Sequence, residues 1–480
     1  MPQITNFSLN GLYDLYDYKD CRAEGRQSDL LILYGDNGCG KTTILNLIFH
    51  LLSTASGRGH LNSIARIPFK SLTVNLSDET IISAERKENA TSYPIKFRIT
   101  KPSSEPVEYN FIPERVRERI LQEVIEREYA KSKNTKYFSL SKVFNPLSHP
   151  ERALMPNSDD LAHDKYLTTL KQLGLTCYFM AADRKMRSDQ IVDEDRSSRI
   201  LAMEGDQEDR DVIARVRTRY LEDALSAASK YMNMQVINAS NAGSKNTNEI
   251  YAELIKRIAT DSNIDQPSIN NDRGGAAEAL KGVETRNHDF ADLGIVPELD
   301  FGALHPILKA ASPNNRAILD KVLWPYIDSL SARLDALEPV GDVIQTFLTI
   351  LNSLFRDKLI RFSPATGFTL IGPKRQTHLE ANQLSSGEQQ LLLMFCYLLI
   401  SNESDSIFMI DEPEISLNVK WQRDLIDAMR KITKGSNNQI VLATHSIELL
   451  AQHDEMVVEL NPTLSINESV KEYESPKKDN

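Results

Sequence analysis

The sequence predicts an α/β protein in which a mixed, largely parallel core sheet is joined to an antiparallel β-subdomain and interrupted by a mainly helical insertion. Three observations predict this. Residues 30–48 (LLILYGDNGCGKTTILNLI) run from an apolar stretch through a glycine-punctuated turn into a helix-period pattern. Residues 407–410 and 440–443 are short and wholly apolar, as strands buried on both faces of a parallel sheet are. Residues 67–76, 80–86 and 93–99 alternate apolar and polar and are separated by polar turns, the pattern of a half-exposed meander.

In chain order, residues 3–13 alternate weakly and are expected to form a first strand, followed by a polar loop to 29. Strand 30–33 feeds the glycine turn and a helix carrying Ile44, Leu45 and Ile48, which the Gly/Ser stretch 53–60 stops. After the meander, residues 113–130 read as a charged helix with Val116, Ile120, Val124 and Ile125 at helical spacing and a solvated face. Residues 131–163 are polar and proline-bearing and read as irregular. Residues 173–182 (LGLTCYFMAA) read as a buried strand ending in the cationic cluster Asp183-Arg184-Lys185-Met186-Arg187. An amphipathic helix is expected over 205–232, with Ile213, Val216, Tyr220, Ala224, Ala227 and Tyr231 on one side. Residues 238–292 are Asn/Gly-rich and read as loops with one short helix over 251–258. In 314–337 the seam Leu319, Leu323, Tyr326, Leu330, Leu334, Leu337 predicts a helix that Pro325 kinks or restarts, and 343–354 a returning helix, making a helical hairpin. A β-hairpin over 359–371 and an apolar helix over 386–400 follow, and the last twenty residues read as a frayed polar tail. The segments are therefore 1–105, 106–172, 173–190, 191–357, 358–460 and 461–480: an N-lobe, a helical or irregular insertion, a core strand, a helical insertion with a hairpin, a C-lobe and a tail.

The totals narrow the function classes. With 480 residues, 41% hydrophobic and 26% charged, the chain has the composition of a soluble globular protein of several domains. Its net charge of −11 argues against a broadly basic nucleic-acid coat while leaving room for a local patch. Cys21, Cys39, Cys177 and Cys396 show neither metal-ligand spacing nor a disulfide framework, which suits a reducing cytoplasm. The first twenty residues carry acids and tyrosines rather than a leader pattern, and the apolar run 391–400 is too short to span a bilayer, so no membrane role is expected.

Gly35-Asp36-Asn37-Gly38-Cys39-Gly40-Lys41-Thr42 fits G-x-x-x-x-G-K-[ST], with Thr43 continuing the helix. Small residues let successive backbone N–H groups converge on a polyphosphate at a helix N-terminus; Lys41 reaches the β/γ-phosphates of ATP and the Thr42 hydroxyl holds Mg²⁺. Asp411 and Glu412 directly follow the apolar run 407–410. In a phosphate-loop enzyme the first acid binds Mg²⁺ and the second orients and deprotonates the attacking water. Ser385-Ser386-Gly387-Glu388 can be a simple capping box. That leaves unexplained the glycine in the first helical turn, a costly choice unless a ligand approaches the backbone.

Here the chain resembles the ABC ATPase superfamily, whose signature has the form L-S-G-G-Q; LSSGEQQ at 384–390 is similar to the variant of the Rad50/SMC/RecF/OLD-like branch (AAA15/AAA21-type). Thr444-His445-Ser446 resembles the switch-histidine motif, and Ser416-Leu417-Asn418 stands at the D-loop, with Asn where many members have Asp. The resemblance covers residues 1–100, 173–190 and 359–460. It implies an ABC ATPase head that assembles as a head-to-tail homodimer or higher oligomer, in which ATP held by Lys41 and Thr42 of one copy is covered by Ser385, Ser386, Gly387 and Glu388 of the other. It further implies that Glu412 polarises water and that His445 senses the γ-phosphate. No glutamine ends the strand at Ala182 where the family has its Q-loop; Arg184, or else Gln190, stands nearest, and Arg184 becomes the candidate phosphate or partner contact.

Rad50 and SMC proteins need a coiled coil for which the insertion has no room, and OLD-type nucleases carry a nuclease domain after the histidine motif. The chain most resembles the ATPase subunits of anti-phage systems such as PARIS and Septu, including retron-linked ones. That resemblance implies a sensor and scaffold that holds a separate toxic effector, a nuclease, and responds to a phage protein. Two other classes stand beside it: a RecF-like DNA-repair ATPase acting on DNA, and an ATP-gated binding scaffold with little turnover.

Overall fold

In the computed structural model, the apolar runs and the alternating runs fold into two separate sheets. The structure describes residues 2–23, 29–55, 59–102, 104–119, 122, 158–183, 186–188, 209–260, 275–302, 304–310, 312–372 and 377–464. The chain divides into one unit comprising Met1–Asp206, Ser404–Leu425 and Gly435–Asn480, and a second comprising Gln207–Glu403 and Ile426–Lys434.

The first unit carries both large sheets. Strands β1 (Ile4–Leu12), β2 (Tyr16–Cys21), β4 (Ser71–Leu76), β5 (Ile81–Arg86), β6 (Ile95–Thr100), β7 (Val107–Phe111) and β15 (Thr463–Leu464) form a sheet in the order β15-β2-β1-β4-β5-β6-β7. Every pairing in it is antiparallel. Strand β4 buries alternate residues, as the period-2 pattern requires. The second sheet runs β14-β3-β13-β12-β8-β9, from β3 (Leu30–Tyr34), β8 (Thr176–Met180), β9 (Met186–Ser188), β12 (Ser406–Asp411), β13 (Gln439–Thr444) and β14 (Val457–Glu459). All its pairings are parallel except the β8–β9 hairpin. Every residue of β12 and β13 is buried, which is why these strands read as unbroken apolar runs.

Helix α1 (Lys41–Leu52) sits between the sheets. Its Ile44, Leu45 and Ile48, each fully buried, share one core with Phe7, Val74 and Phe97 of the antiparallel sheet and Leu31, Leu33, Met409 and Val441 of the parallel one. Full burial of each such aliphatic side chain contributes about 1.5–3 kcal/mol. Gln439 adds a polar tie. Its buried amide accepts from the Ile4 N–H at 2.8 Å and donates to the Ile4 carbonyl at 2.8 Å, so that a side chain closes a ladder rung between the two sheets.

The second unit is mainly helical. Helix Asp209–Thr260 packs along helix Pro313–Leu354, and helix Ala276–Asp292 lies on the latter. The hairpin β10 (Leu359–Ser363) and β11 (Gly367–Ile371) leads to the helix Ser386–Ser401. Two sequence expectations are corrected here. Residues 238–250 and 276–292, read as loop, lie inside the helices Asp209–Thr260 and Ala276–Asp292, and 313–354 is one helix rather than a hairpin despite Pro325 and Pro339. The glycines mark close approaches instead of turns. A Cβ at Gly243 would stand 2.9 Å from Arg333 Cα, and one at Gly341 would stand 2.4 Å from Phe290 Cε1. The hairpin partner of 313–354 is therefore the earlier helix, and Arg286 braces the second contact by bonding Asp335 at 2.8 Å and Glu338 at 3.0 Å.

The charged helix expected at 113–130 is described only at its start, and the irregular stretch 131–157 lies outside the described residues. Residues 158–163, part of the same irregular reading, open the helix Ser158–Lys171. Residues 461–464 of the expected tail are ordered as part of β15 and its approach. Among the described residues no helix is long and apolar enough to cross a membrane.

Candidate functional site

The C-terminal ends of β3, β12 and β13 lie side by side, with Asp411 opposite Ala443 and Thr444 opposite Tyr34. Open parallel sheets bind ligands at this edge. From β3 the chain turns through Gly35 to Gly40 into α1. Gly38 and Gly40 adopt φ of +88° and +83°, a region costly for any residue with a Cβ. A Cβ at Gly35 would meet Cys39 Sγ at 2.8 Å, and one at Gly40 would meet Leu12 Cδ2 at 2.9 Å. The Tyr18 hydroxyl donates to the Cys39 carbonyl and pins the loop from below. Gly40 is the N-cap of α1 and, having no side chain, makes no capping bond, so the helix opens onto the loop without the usual N-cap oxygen. This is the geometry of an anion cradle. Lys41, 5% exposed, bends back to donate to the Gly35 carbonyl at 2.8 Å and the Asp36 carbonyl at 3.1 Å. The Tyr13 hydroxyl lies 3.4 Å from Thr43 Oγ1. A cleft of about 340 Å³ opens beside the loop, walled by Gly35 to Cys39, Tyr16, Tyr34 and Asn461.

Asp411 ends β12 and is 2% exposed, with both carboxylate oxygens shut from solvent and lacking a well-formed hydrogen bond. Burial raises its pKa, the Thr42 hydroxyl and Lys41 oppose that rise, and Glu414 adds to it. A buried carboxylate with two orphaned oxygens, next to the Thr42 hydroxyl, is a donor set of the hard oxygen type that Mg²⁺ takes, so these residues fit that ion.

Glu412 occupies the left-handed region at φ +50°, and its N–H bonds the Ala443 carbonyl at 2.8 Å. Such a conformation costs a non-glycine residue about 1–3 kcal/mol and breaks the strand alternation. Two consecutive acids thereby reach one centre: Glu412 Oε1 lies 3.7 Å from Lys41 Nζ and Oε2 lies 2.5 Å from His445 Nδ1. Burial first, and the neighbouring Glu414 next, push the Glu412 carboxyl up to about 7, against the pull of His445.

Glu414 is the residue that sequence reasoning missed. It is 6% exposed and accepts from Thr444 Oγ1 at 2.5 Å and from the His445 N–H at 3.1 Å, holding the His445 turn against the acid pair. The Ser446 N–H bonds Thr444 Oγ1 at 2.9 Å and completes the turn. The available signal was the Asp411-Glu412-Pro413-Glu414 run itself, three acids within four residues after a buried strand. Glu412, Glu414 and His445 together offer three ligand atoms within 4.8 Å of one another.

Ser385 to Glu388 belong to the second unit, so they share no unit with the phosphate loop. The capping box is formed: the Ser385 N–H bonds Glu388 Oε2 at 2.7 Å and the Glu388 N–H bonds Ser385 Oγ at 3.4 Å. Burial pushes the Glu388 carboxyl up, but Lys358, 2.7 Å away, and Ser385 overcome this and hold it below the usual carboxylate range. Ser386 and Gly387 form the first turn of the Ser386–Ser401 helix. Asn418 accepts from the Trp421 N–H at 3.0 Å and so caps the helix Val419–Ile432. Arg184 and Gln190 lie outside the described residues.

Residues 30–451 match the family described as "AAA domain, putative AbiEii toxin, Type IV TA system". Two curated relatives, the oligopeptide transport ATP-binding proteins OppD of Lactococcus lactis subsp. cremoris and subsp. lactis, are each 27% identical over 123 residues, 25% of this chain. The match spans 35% of the length of each of those relatives. Among solved structures, the Smc head domain of Pyrococcus furiosus bound to the C-terminal domain of ScpA is 12% identical with a TM-score of 0.32, covering 94% of this chain and 92% of that one. The SMC head domain of Thermotoga maritima is 10% identical with a TM-score of 0.28, covering 94% and 91%. The family match covers residues 30–451, most of the chain, and on that ground the chain belongs to this AAA-domain family.

Proposed function

We propose that the chain binds ATP with Mg²⁺ at the Gly35–Thr42 loop, hydrolyses it with Glu412 as general base, and uses the cycle to gate an assembly rather than to drive metabolism. The observation that carries this reading is the convergence of Lys41, Glu412 and His445 at the ends of three neighbouring parallel strands. The Gly38 to Lys41 N–H groups would cradle the phosphates, and Lys41 would exchange its two loop carbonyls for β/γ-phosphate oxygens. Thr42 and Asp411 would hold Mg²⁺, which supplies charge neutralisation at the phosphates. Glu412 would take the proton of the attacking water. A carboxyl pushed toward 7 is matched to that task near neutral pH, because base strength and ionised fraction are both then appreciable. His445, bonded to Glu412, holds that carboxylate in place and can read the γ-phosphate.

In this proposal Ser385, Ser386, Gly387 and Glu388 of a second copy cover the bound nucleotide, making a dimer the working unit. The biological output is the sensing and holding of a separate effector in defence against phage, with a phage protein as trigger. The family's description names an AbiEii toxin and a toxin–antitoxin system, which supports a defence-type setting.

The test is ATP turnover and light scattering on the purified chain, with phage plating alongside. Glu412→Gln should lose turnover, trap an ATP-dependent dimer and lose protection, and Lys41→Ala should lose ATP binding and protection together. Full turnover in Glu412→Gln would remove Glu412 as base. A monomer with bound ATP would remove the shared site, and protection in both variants would remove the defence role.

A further inference from the structure

The loop that follows the acids of β12 is held in a costly shape. Glu412 and Ser416, four residues apart, both take left-handed backbone, at φ +50° and +68°. Two tight turns lie between and after them: the Ile415 N–H bonds the Glu412 carbonyl at 3.2 Å, and the Leu417 N–H bonds the Glu414 carbonyl at 2.9 Å. Such backbone persists in residues with a Cβ only where the surroundings over-determine it. Gln422, in the first turn of the helix Val419–Ile432, supplies part of that constraint.

The half-buried Gln422 amide bonds in two directions. Its Nε2 donates to the Leu417 carbonyl at 3.0 Å, and its Oε1 accepts from Ser446 Oγ at 2.8 Å. From Ser446 the bonds continue without a gap. The Ser446 N–H donates to Thr444 Oγ1 at 2.9 Å, and Thr444 Oγ1 donates to Glu414 Oε1, which also accepts the His445 N–H. The Glu414 carbonyl, holding the Leu417 N–H, closes the circuit. Linked bonds of this kind polarise one another and act as a unit. The His445 side chain is 47% exposed, so the turn that carries it, more than packing, decides where its ring points.

Helix capping does not account for Gln422. Asn418 Oδ1 caps the helix through the Trp421 N–H at 3.0 Å, and the Gln422 N–H is already bonded to the Asn418 carbonyl at 3.1 Å. The side chain is spare as far as the helix is concerned. Both of its ends are committed to joining the loop after β12 to the turn after β13.

We propose that Gln422 is a positioning residue for hydrolysis: it clamps the His445 turn to the Ser416–Asn418 loop and thereby aims the His445 ring at Glu412. Its effect on rate rests on the ATPase reading above, whereas the clamp itself can be read without turnover.

The test is steady-state kinetics, ATP calorimetry and NMR of the full chain with isotope-labelled histidine. Gln422→Met keeps the length of the side chain and removes both bonds. Its kcat should fall by about tenfold, the scale of loss when a group in a site is misplaced, while KM and the calorimetric Kd for ATP stay within about twofold. Ser446→Ala should do the same, Ser446→Thr should keep most of the rate, and the double variant Gln422→Met with Ser446→Ala should fall no further than either alone, because one shared bond is lost. Arg423→Gln removes the adjacent 2.6 Å bond from the same helix to Glu448 and should leave kcat near wild type. In nucleotide-free protein the His445 Nδ1 resonance, identified by its loss in His445→Ala, should shift in Gln422→Met and not in Arg423→Gln. A merely structural glutamine would lower the melting temperature and the active fraction without moving that resonance. An unshifted resonance, an unchanged kcat, or losses that add in the double variant would each overturn the proposal. Full turnover in Glu412→Gln would instead remove the base, and the resonance would still decide the clamp.

Discussion

Replacing Glu414 by Gln separates charge from shape at the centre of the site. The amide keeps an oxygen where Thr444 Oγ1 and the His445 N–H donate, but removes the negative charge that raises the Glu412 pKa. The upward displacement of Glu412 from 4.5 to about 7 corresponds to roughly 3 kcal/mol at 1.36 kcal/mol per unit. Burial is its largest cause and Glu414 the next, so removing the charge should erase roughly 1–2 kcal/mol of it. The sign follows from linkage. A folded-state pKa above the unfolded one means that the fold binds the proton more tightly, so this contribution is fully present below pH 4.5 and is lost as pH rises through about 7. Wild-type protein should therefore lose stability from this group between pH 5 and pH 8, and the variant should lose less. At roughly 2 °C per kcal/mol, the difference in melting temperature between the two pH values should shrink by about 2–4 °C. At pH 5, where Glu412 is protonated, the variant should be weaker by about 1 kcal/mol, as a charge-assisted acceptor becomes a neutral one, and relief of the repulsion should offset that loss at pH 8. The acid limb of the ATPase pH profile should also move to lower pH. Identical pH dependence of melting in the two proteins would refute the coupling of Glu414 to Glu412.

Other perturbations test other parts of the molecule. Lys41→Met should abolish ATP binding by calorimetry while leaving the melting temperature within a few degrees, because the lysine bonds two loop carbonyls and its ion pair with Glu412 is a loose 3.7 Å contact. Lys358→Met leaves the buried Glu388 without its cation and should cost about 3 kcal/mol in denaturant unfolding; adding Glu388→Gln should recover part of that loss. Gly341→Ala puts a methyl 2.4 Å from Phe290 Cε1 and should cost about 1–3 kcal/mol, whereas Gly341→Ala with Phe290→Leu should cost less than the sum of the two changes.

What could be read from the sequence was what local chemistry decides. The phosphate loop, the acids after β12 and the histidine after β13 stand out because each sits where a fully apolar strand meets a polar turn. The Ser385 capping box is equally local. The helical unit was harder, since Gly243 and Gly341 carry the same signal whether the chain turns or another helix presses close, and only the position of Arg333 or Phe290 decides between them. Pro325 and Pro339 inside one helix add to the ambiguity, because tertiary packing overrides their local preference. Glu414 escaped for a related reason: its role comes from Thr444 and His445, thirty residues and more along the chain. Asn418, where the resemblance noted in the sequence leads one to expect Asp, has a helix-capping role that either residue can perform.

The placement of β3 between β13 and β14 has a consequence for biosynthesis. A ribosome delivers the phosphate loop within the first fifty residues, but both strands that flank β3 arrive only with residues 439–459. Until then β3 stands with both edges unpaired, an invitation to wrong pairing. Nascent chains halted before residue 439 should therefore engage chaperones and fail to retain ATP, and the nucleotide site should become competent in a single late step as the last strands emerge.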